Sequence, residues 1–144
     1  MSNQQLLQIA INYIEDHLQK KLRIAEVAAQ TGLSSWHFQR VFHAHVGETV
    51  GTYIRSRKLS CSLEELLASN KKVIDIAFDY DFSSPETFSR AFKTKFGKTP
   101  QEIRRLGIKI VPEKKLKLEN KQLVHLVEEI HRSPQIKTTP NFLV

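Results

Sequence analysis

"SSWHFQRVF", residues 34–42, is echoed further along the chain by "SPETFSRAF", residues 84–92. Taken as a helix opening after Ser34, the first stretch divides into two faces. Phe38, Val41, Phe42, His45 and Val46 recur every three to four residues and make a stripe suited to a core. Trp36, Gln39, Arg40 and His43 follow the same spacing on the opposite side, where Lys, Glu and Ser would be ordinary. The echo extends outward. Glu26, Ala28, Leu33, Ser34 and Ser35 match Asp75, Ala77, Phe82, Ser83 and Ser84 at an offset of 49. Phe38, Arg40, Phe42, Gly47 and Thr49 match Phe88, Arg90, Phe92, Gly97 and Thr99 at an offset of 50, so one residue enters the second copy near Pro85. Two helix-turn-helix units joined by one helix is the simplest account.

Between and around the copies the chain reads as helical throughout. Apolar residues Leu6, Ile9, Ala10, Tyr13, Ile14 and Leu18 predict a helix over 3–18, and "IAEVAAQ" a short one over 24–30 that stops at Thr31-Gly32. One long segment, "TVGTYIRSRKLSCSLEELLA", runs from Thr49 to Ala68 with Ser60-Cys61-Ser62 as its weakest patch. Further helices are expected over 73–79, from Ser84 to Phe96 and from Thr99, where Pro85 and Pro100 each suit a first helical position and Thr99-Pro-Gln-Glu102 has capping-box spacing. The expected fold is all-α, with a first helix-turn-helix subdomain over 1–50, a linker helix over 51–70, a second subdomain over 71–106 and an extension over 107–144.

The chain has 144 residues, a formal charge of +7 and a pI near 9.6, so an acidic partner such as nucleic acid or an anionic membrane surface is favoured. The excess is spread along the sequence rather than gathered in an arm. Cys61 is the only cysteine, which excludes an internal disulfide. The N-terminus lacks a basic leader followed by a long apolar run, and no apolar stretch approaches the roughly 18 residues of a membrane span. A soluble cytoplasmic protein, with no membrane partner, is expected.

Helical hairpins are common and many bind nothing, so the chemistry of the outward faces has to decide. Arg40 can donate a bidentate pair to guanine, Gln39 can pair with adenine, and Trp36 can pack on a thymine methyl or a sugar. The competing reading makes Trp36 a partly buried packing residue. In the second copy the outward face is Glu86, Ser89, Arg90 and Lys93, with Thr87 beside it. Arg90 and Lys93 could equally be solvated charges, and Glu86 is repelled by phosphate although it could accept from cytosine. A 20-residue helix spans roughly 30 Å, and successive major grooves lie about 34 Å apart. A helix over 49–68 could therefore hold two reading heads in adjacent grooves, with Arg55, Arg57 and Lys58 as phosphate contacts or as ordinary surface charges. His43 and His45 stand two apart and do not share a helix face, so no metal site is expected. Cys61 is expected to be a packing residue. There is no phosphate loop and no nucleophile motif, so neither an enzyme nor a cofactor is expected.

The segment "AFDYDFSSPETFSRAFKTKFGKTPQEIR", residues 77–104, resembles the signature of the AraC/XylS transcription regulators. Ala77, Phe82, Phe88, Phe92, Lys93, Gly97, Pro100 and Arg104 stand where that pattern places such residues, and "WHFQRVF" and "YIRSRKL" look like the first unit and linker of the short MarA/SoxS/Rob branch. The resemblance covers roughly residues 5–105. It implies an AraC-type DNA-binding domain, acting as a monomer on an asymmetric double-stranded DNA site through two major-groove helices and contacting RNA polymerase. It also implies that Trp36, Gln39 and Arg40, and Glu86, Thr87 and Arg90, face bases or backbone. Two positions depart from the pattern. Asp81 replaces a usual glycine, a residue type that tolerates left-handed backbone, and Glu86 stands where glutamine is frequent.

The segment 107–144 lies beyond the resemblance. "IKIVPEKKLKLENKQLVHLVEEIHRSP" predicts an extended piece and then a helix near 119–132, with Leu123, Leu126, Val127 and Ile130 on one side. It is too short for a separate small-molecule effector domain. It is expected to pack on the domain or to extend loosely, and the alternative is a partner-binding helix. The function expected from all of this is a sequence-specific transcription regulator, an activator. The competing class is a helical adaptor that docks on RNA polymerase without reading bases.

Overall fold

The computed structural model describes residues 1–107; the expectations for the segment beyond Gly107 lie outside the described residues. Among these there are seven helices and no strand: α1 (Asn3–Asp16), α2 (Ile24–Thr31), α3 (Ser35–Val46), α4 (Val50–Ala68), α5 (Val73–Asp79), α6 (Pro85–Phe96) and α7 (Pro100–Leu106). None of the described helices is long and apolar enough to cross a membrane.

The described residues fall into two compact units, one built from Met1–Asp16 with Leu22–Ile54, the other from His17–Lys21 with Arg55 and the residues after it. In the first, Leu7, Ala10, Ile11 and Ile14 of α1 are buried, as are Val27 and Ala28 of α2, Phe38, Val41, Phe42 and Val46 of α3, and Val50 and Tyr53 of α4. The Phe42 ring meets Phe38 at 5.9 Å and Tyr53 at 5.8 Å in tilted contacts, which suit the aromatic quadrupole better than face-to-face stacking. The second core gathers Leu59, Leu63 and Leu66 of α4 with Ile76, Ala77, Tyr80, Phe82, Phe88, Phe92 and Ile103. Phe82, Phe88, Phe92 and Phe96 form a run of ring contacts at 5.1, 5.5 and 4.7 Å. Cys61 packs against this core.

The stops and starts follow local chemistry. Ser34 accepts the His37 N–H and Ser84 the Thr87 N–H, each at 3.1 Å, so α3 and α6 open on the same cap. Gly47 and Gly97 close them in left-handed backbone at φ 94° and 84°. Thr99 and Glu102 complete the expected capping box at α7. The turn inside each unit also matches: Gly32 sits at φ 79°, and Asp81, its counterpart, is the one described non-glycine residue at positive φ, 64°. With Gly32 matching Asp81, the capping roles pair Ser34 with Ser84, not with Ser83 as the offset of 49 has it, so the extra residue of the second copy is Ser83, in the turn just ahead of the cap. Helix α1 ends at Asp16, two residues short of the expected span, although Leu18 beyond it is still buried.

Candidate DNA interface

On α3 the two predicted faces separate cleanly. Phe38, Val41, Phe42 and Val46 are buried, whereas Trp36 is 67% exposed and Gln39, Arg40 and His43 are exposed. A tryptophan left in water on a helix of this length is the observation that removes the packing reading of Trp36. The Arg40 guanidinium carbon lies over the Trp36 ring, 4.7 Å from its centroid, a cation–π arrangement that fixes both side chains one turn apart. Gln39 folds back, its Nε2 donating to the Ser35 carbonyl and hydroxyl at 3.3 Å each. Both Ser35 contacts are exposed.

The outward side of α6 is built differently. Glu86, Arg90 and Lys93 are exposed; Thr87 and Ser89 are half-buried. Thr87 is engaged locally, its Oγ1 lying 2.9 Å from Ser84 Oγ and 3.5 Å from Ser83 Oγ. What remains open to a ligand on this helix is therefore one carboxylate and two cations, without an aromatic side chain.

The basic run of α4 divides. Arg55 is exposed. Arg57 and Lys58, expected on the surface as phosphate contacts, are each only 7% exposed. The Lys58 ammonium donates to the carbonyl oxygens of Lys20 at 2.9 Å and Tyr80 at 3.3 Å. Burial holds its pKa below the ordinary lysine value, partly offset by the negative charge of Asp81. Arg57 Nη2 lies 3.7 Å from Cys61 Sγ. Both cations are structural ties within a helix that is enclosed on more than one side, and neither is available to a phosphate.

His43 is exposed whereas His45 is half-buried, its Nδ1 3.0 Å from the Val41 carbonyl oxygen. Burial pushes the His45 pKa down despite that hydrogen bond. Among the described residues no three His, Cys, Asp or Glu side chains converge in a way that could hold a metal ion.

Sequence reasoning assigned no role to Arg104 beyond its place in the family signature. Its guanidinium donates to the carbonyls of Leu66 at 3.0 Å, Ser69 at 3.1 Å and Lys71 at 2.6 Å. Leu66 is one of the orphan acceptors at the end of α4, and Ser69 and Lys71 belong to the stretch that follows, so Arg104 ties α7 to α4 and its exit. Nearby, Lys71 pairs with both Glu65 and Asp79, and the Tyr80 hydroxyl donates to Glu65 at 3.1 Å. These ties steady the α5 turn from which α6 departs. The only advance signal was that a helix ending without a glycine needs donors from elsewhere.

Residues 6–106 match the family model of a helix-turn-helix domain. The chain is 39% identical over 104 residues to the regulatory protein SoxS of Salmonella typhimurium, a match covering 72% of this chain and 97% of that protein. Over 93 residues it is 44% identical to the right origin-binding protein of Escherichia coli, which covers 65% of this chain and 32% of that longer protein. A crystal structure of a transcriptional regulator with an AraC-type DNA-binding domain from Chromobacterium violaceum superposes with a TM-score of 0.67 at 25% identity, covering 71% of this chain and 91% of that one. The chain belongs to the AraC-type helix-turn-helix family, in its short SoxS-like branch. As a member of that AraC-type family it is a DNA-binding transcription regulator and not an enzyme.

Proposed function

We propose that this regulator binds an asymmetric promoter site of about 20 base pairs as a monomer, with α3 and α6 each lying in a major groove, and activates transcription by contacting RNA polymerase. Two helices of matching cap, length and inward stripe in one chain, each with outward groups suited to DNA, carry this reading. A single chain then supplies what dimeric helix-turn-helix proteins obtain from two, and because the outward faces differ, the site has no reason to be palindromic. Trp36, Gln39, Arg40 and His43 serve one half-site; Glu86, Arg90 and Lys93 serve the other, with the half-buried Thr87 and Ser89 beside them; Arg55 reaches phosphate. The branch relative called a regulatory protein, SoxS, matches over nearly its whole length, which supports carrying regulation of transcription over to this chain.

Footprinting of selected promoter fragments together with sedimentation of the complex tests this. One chain per duplex, protection of two groove segments one helical turn apart, and a steep fall of affinity with salt are expected. A palindromic footprint that requires two chains would overturn the monomer reading. Polymerase binding with a flat salt dependence on DNA would favour the adaptor.

A further inference from the structure

Glu86 is the one acidic side chain among the outward positions of α3 and α6. It is exposed in the first turn of α6, four residues before Arg90. Glutamate followed by arginine at that spacing is the order that favours an ion pair along a helix. No such pair forms. Among the described residues neither side chain has a hydrogen-bond or ion-pair partner. A carboxylate at a helix N-terminus does gain from the helix dipole, but in a DNA-reading helix the N-terminal residues are the ones brought nearest the base edges. There an unpaired carboxylate repels phosphate and every base acceptor, and among the groups of a base edge only a donor satisfies it. The major groove offers two, the cytosine N4 amine and the adenine N6 amine. Adenine presents its N7 acceptor beside the amine, which opposes a second carboxylate lone pair; cytosine carries no acceptor on that edge. Arg90, one turn further along the same face, has the opposite requirement and is met by guanine O6 and N7.

We propose that Glu86 and Arg90 work as an acceptor–donor pair reading cytosine and guanine at neighbouring positions of the second half-site. The open, unpaired state of both side chains is what leaves them free for this. The proposal rests on the reading that α6 enters the major groove, and adds which bases it selects there.

Selection of the full chain on a randomised duplex library, with wild type, Glu86→Gln, Glu86→Ala, Arg90→Ala and Arg40→Ala compared, tests it. Wild type should enrich cytosine and guanine in the second half-site. Glu86→Gln should change that cytosine to adenine while the first half-site stays as it was, and Glu86→Ala should leave the position unselected. Placing N4-methylcytosine there, which puts a methyl on the major-groove side of the amine, should weaken wild-type binding by about fivefold or more and leave Glu86→Ala unaffected. An unchanged preference in both Glu86 variants, with Arg40→Ala still altering the first half-site, would overturn the pair and leave the function standing. If no variant and no wild type enriches any sequence, the function itself has failed and the pair with it.

Discussion

The Lys58 ammonium donates to the backbone carbonyl of Tyr80 across 3.3 Å, and that carbonyl belongs to the turn between α5 and α6. A residue that looks in sequence like a phosphate contact thus holds in place the turn that launches a reading helix. Lys58→Met keeps the aliphatic stem and removes the donor. Two carbonyls are left short of a partner, and stability should fall by about 1–3 kcal/mol, seen as a lower urea midpoint with an unchanged slope. Arg55→Met should do the reverse, leaving the midpoint in place and weakening binding to cognate and random DNA alike. A Lys58→Met protein as stable as wild type, but poor at binding any DNA, would return Lys58 to the phosphate contacts.

Tyr80 supplies a prediction in alkali. Burial, and then the charge and hydrogen bond of Glu65, push its phenol up to about 12 from an ordinary value of 10.0. The folded protein keeps a proton that the unfolded chain has lost, so this contribution is intact below pH 10 and declines as pH climbs towards about 12. In an ultraviolet titration Tyr80→Phe should remove a late-ionising step. A Tyr80→Phe protein that loses only a step near the ordinary value would contradict the Glu65 contact.

Asp81 tests the backbone. It occupies left-handed space at φ 64° and its charge reaches Lys58. Asp81→Asn removes the charge but tolerates the conformation and should be mild, whereas Asp81→Val should lose about 1–2 kcal/mol to the strained turn. Equal losses in the two variants would mean that the charge, not the turn, is what the position supplies.

The cation–π contact on α3 predicts an asymmetry between the two arginines. Arg40 is already held over Trp36, so little side-chain freedom is lost when it meets a base. Arg90 must be immobilised on binding, which costs about 0.5–1.5 kcal/mol. Arg40→Ala should therefore cost about 1–3 kcal/mol on the cognate site and relax preference at one or two positions. Arg90→Ala should cost less. Trp36→Ala and Arg40→Ala should combine to less than the sum of their separate effects. Should Arg90→Ala erase sequence preference while Arg40→Ala weakens all binding evenly, the two units have been assigned the wrong way round.

Every proposed DNA contact lies before Gly107, so removal of 113–144 should leave DNA affinity largely intact. A large loss, with helical content of the remainder preserved on circular dichroism, would make that segment part of the interface.

Helices with chemical punctuation were legible in the sequence. Ser34 and Ser84 as caps, Gly47 and Gly97 as stops, and Pro85 and Pro100 at first positions mark α3, α6 and α7 because each acts on backbone within a turn. The outward faces were legible for a related reason, since a stripe of buried phenylalanines fixes where the opposite side must point. Helix α4 was not. Arg57, Lys58, Ser60 and Ser62 are buried beside Leu59 and Leu63, so its apolar residues mark no single inward face. A basic run reads the same whether water or a backbone carbonyl receives its protons. The partners of Lys58 and Arg104 are carbonyls, groups that every residue carries, and no side-chain pattern announces them.

The stripes of Phe38 and Phe42 on α3, and of Phe88 and Phe92 on α6, are fully buried, and the groups proposed to read DNA carry little of either core. Selection can then rewrite the address on one helix while the other still grips an old promoter. Because both halves are tethered, a variant with one altered half keeps a weakened hold on its former sites instead of losing them outright. A duplicated reader of this kind can therefore move between sets of genes by gradual steps. A palindromic dimer cannot, since each substitution strikes both of its half-sites at once.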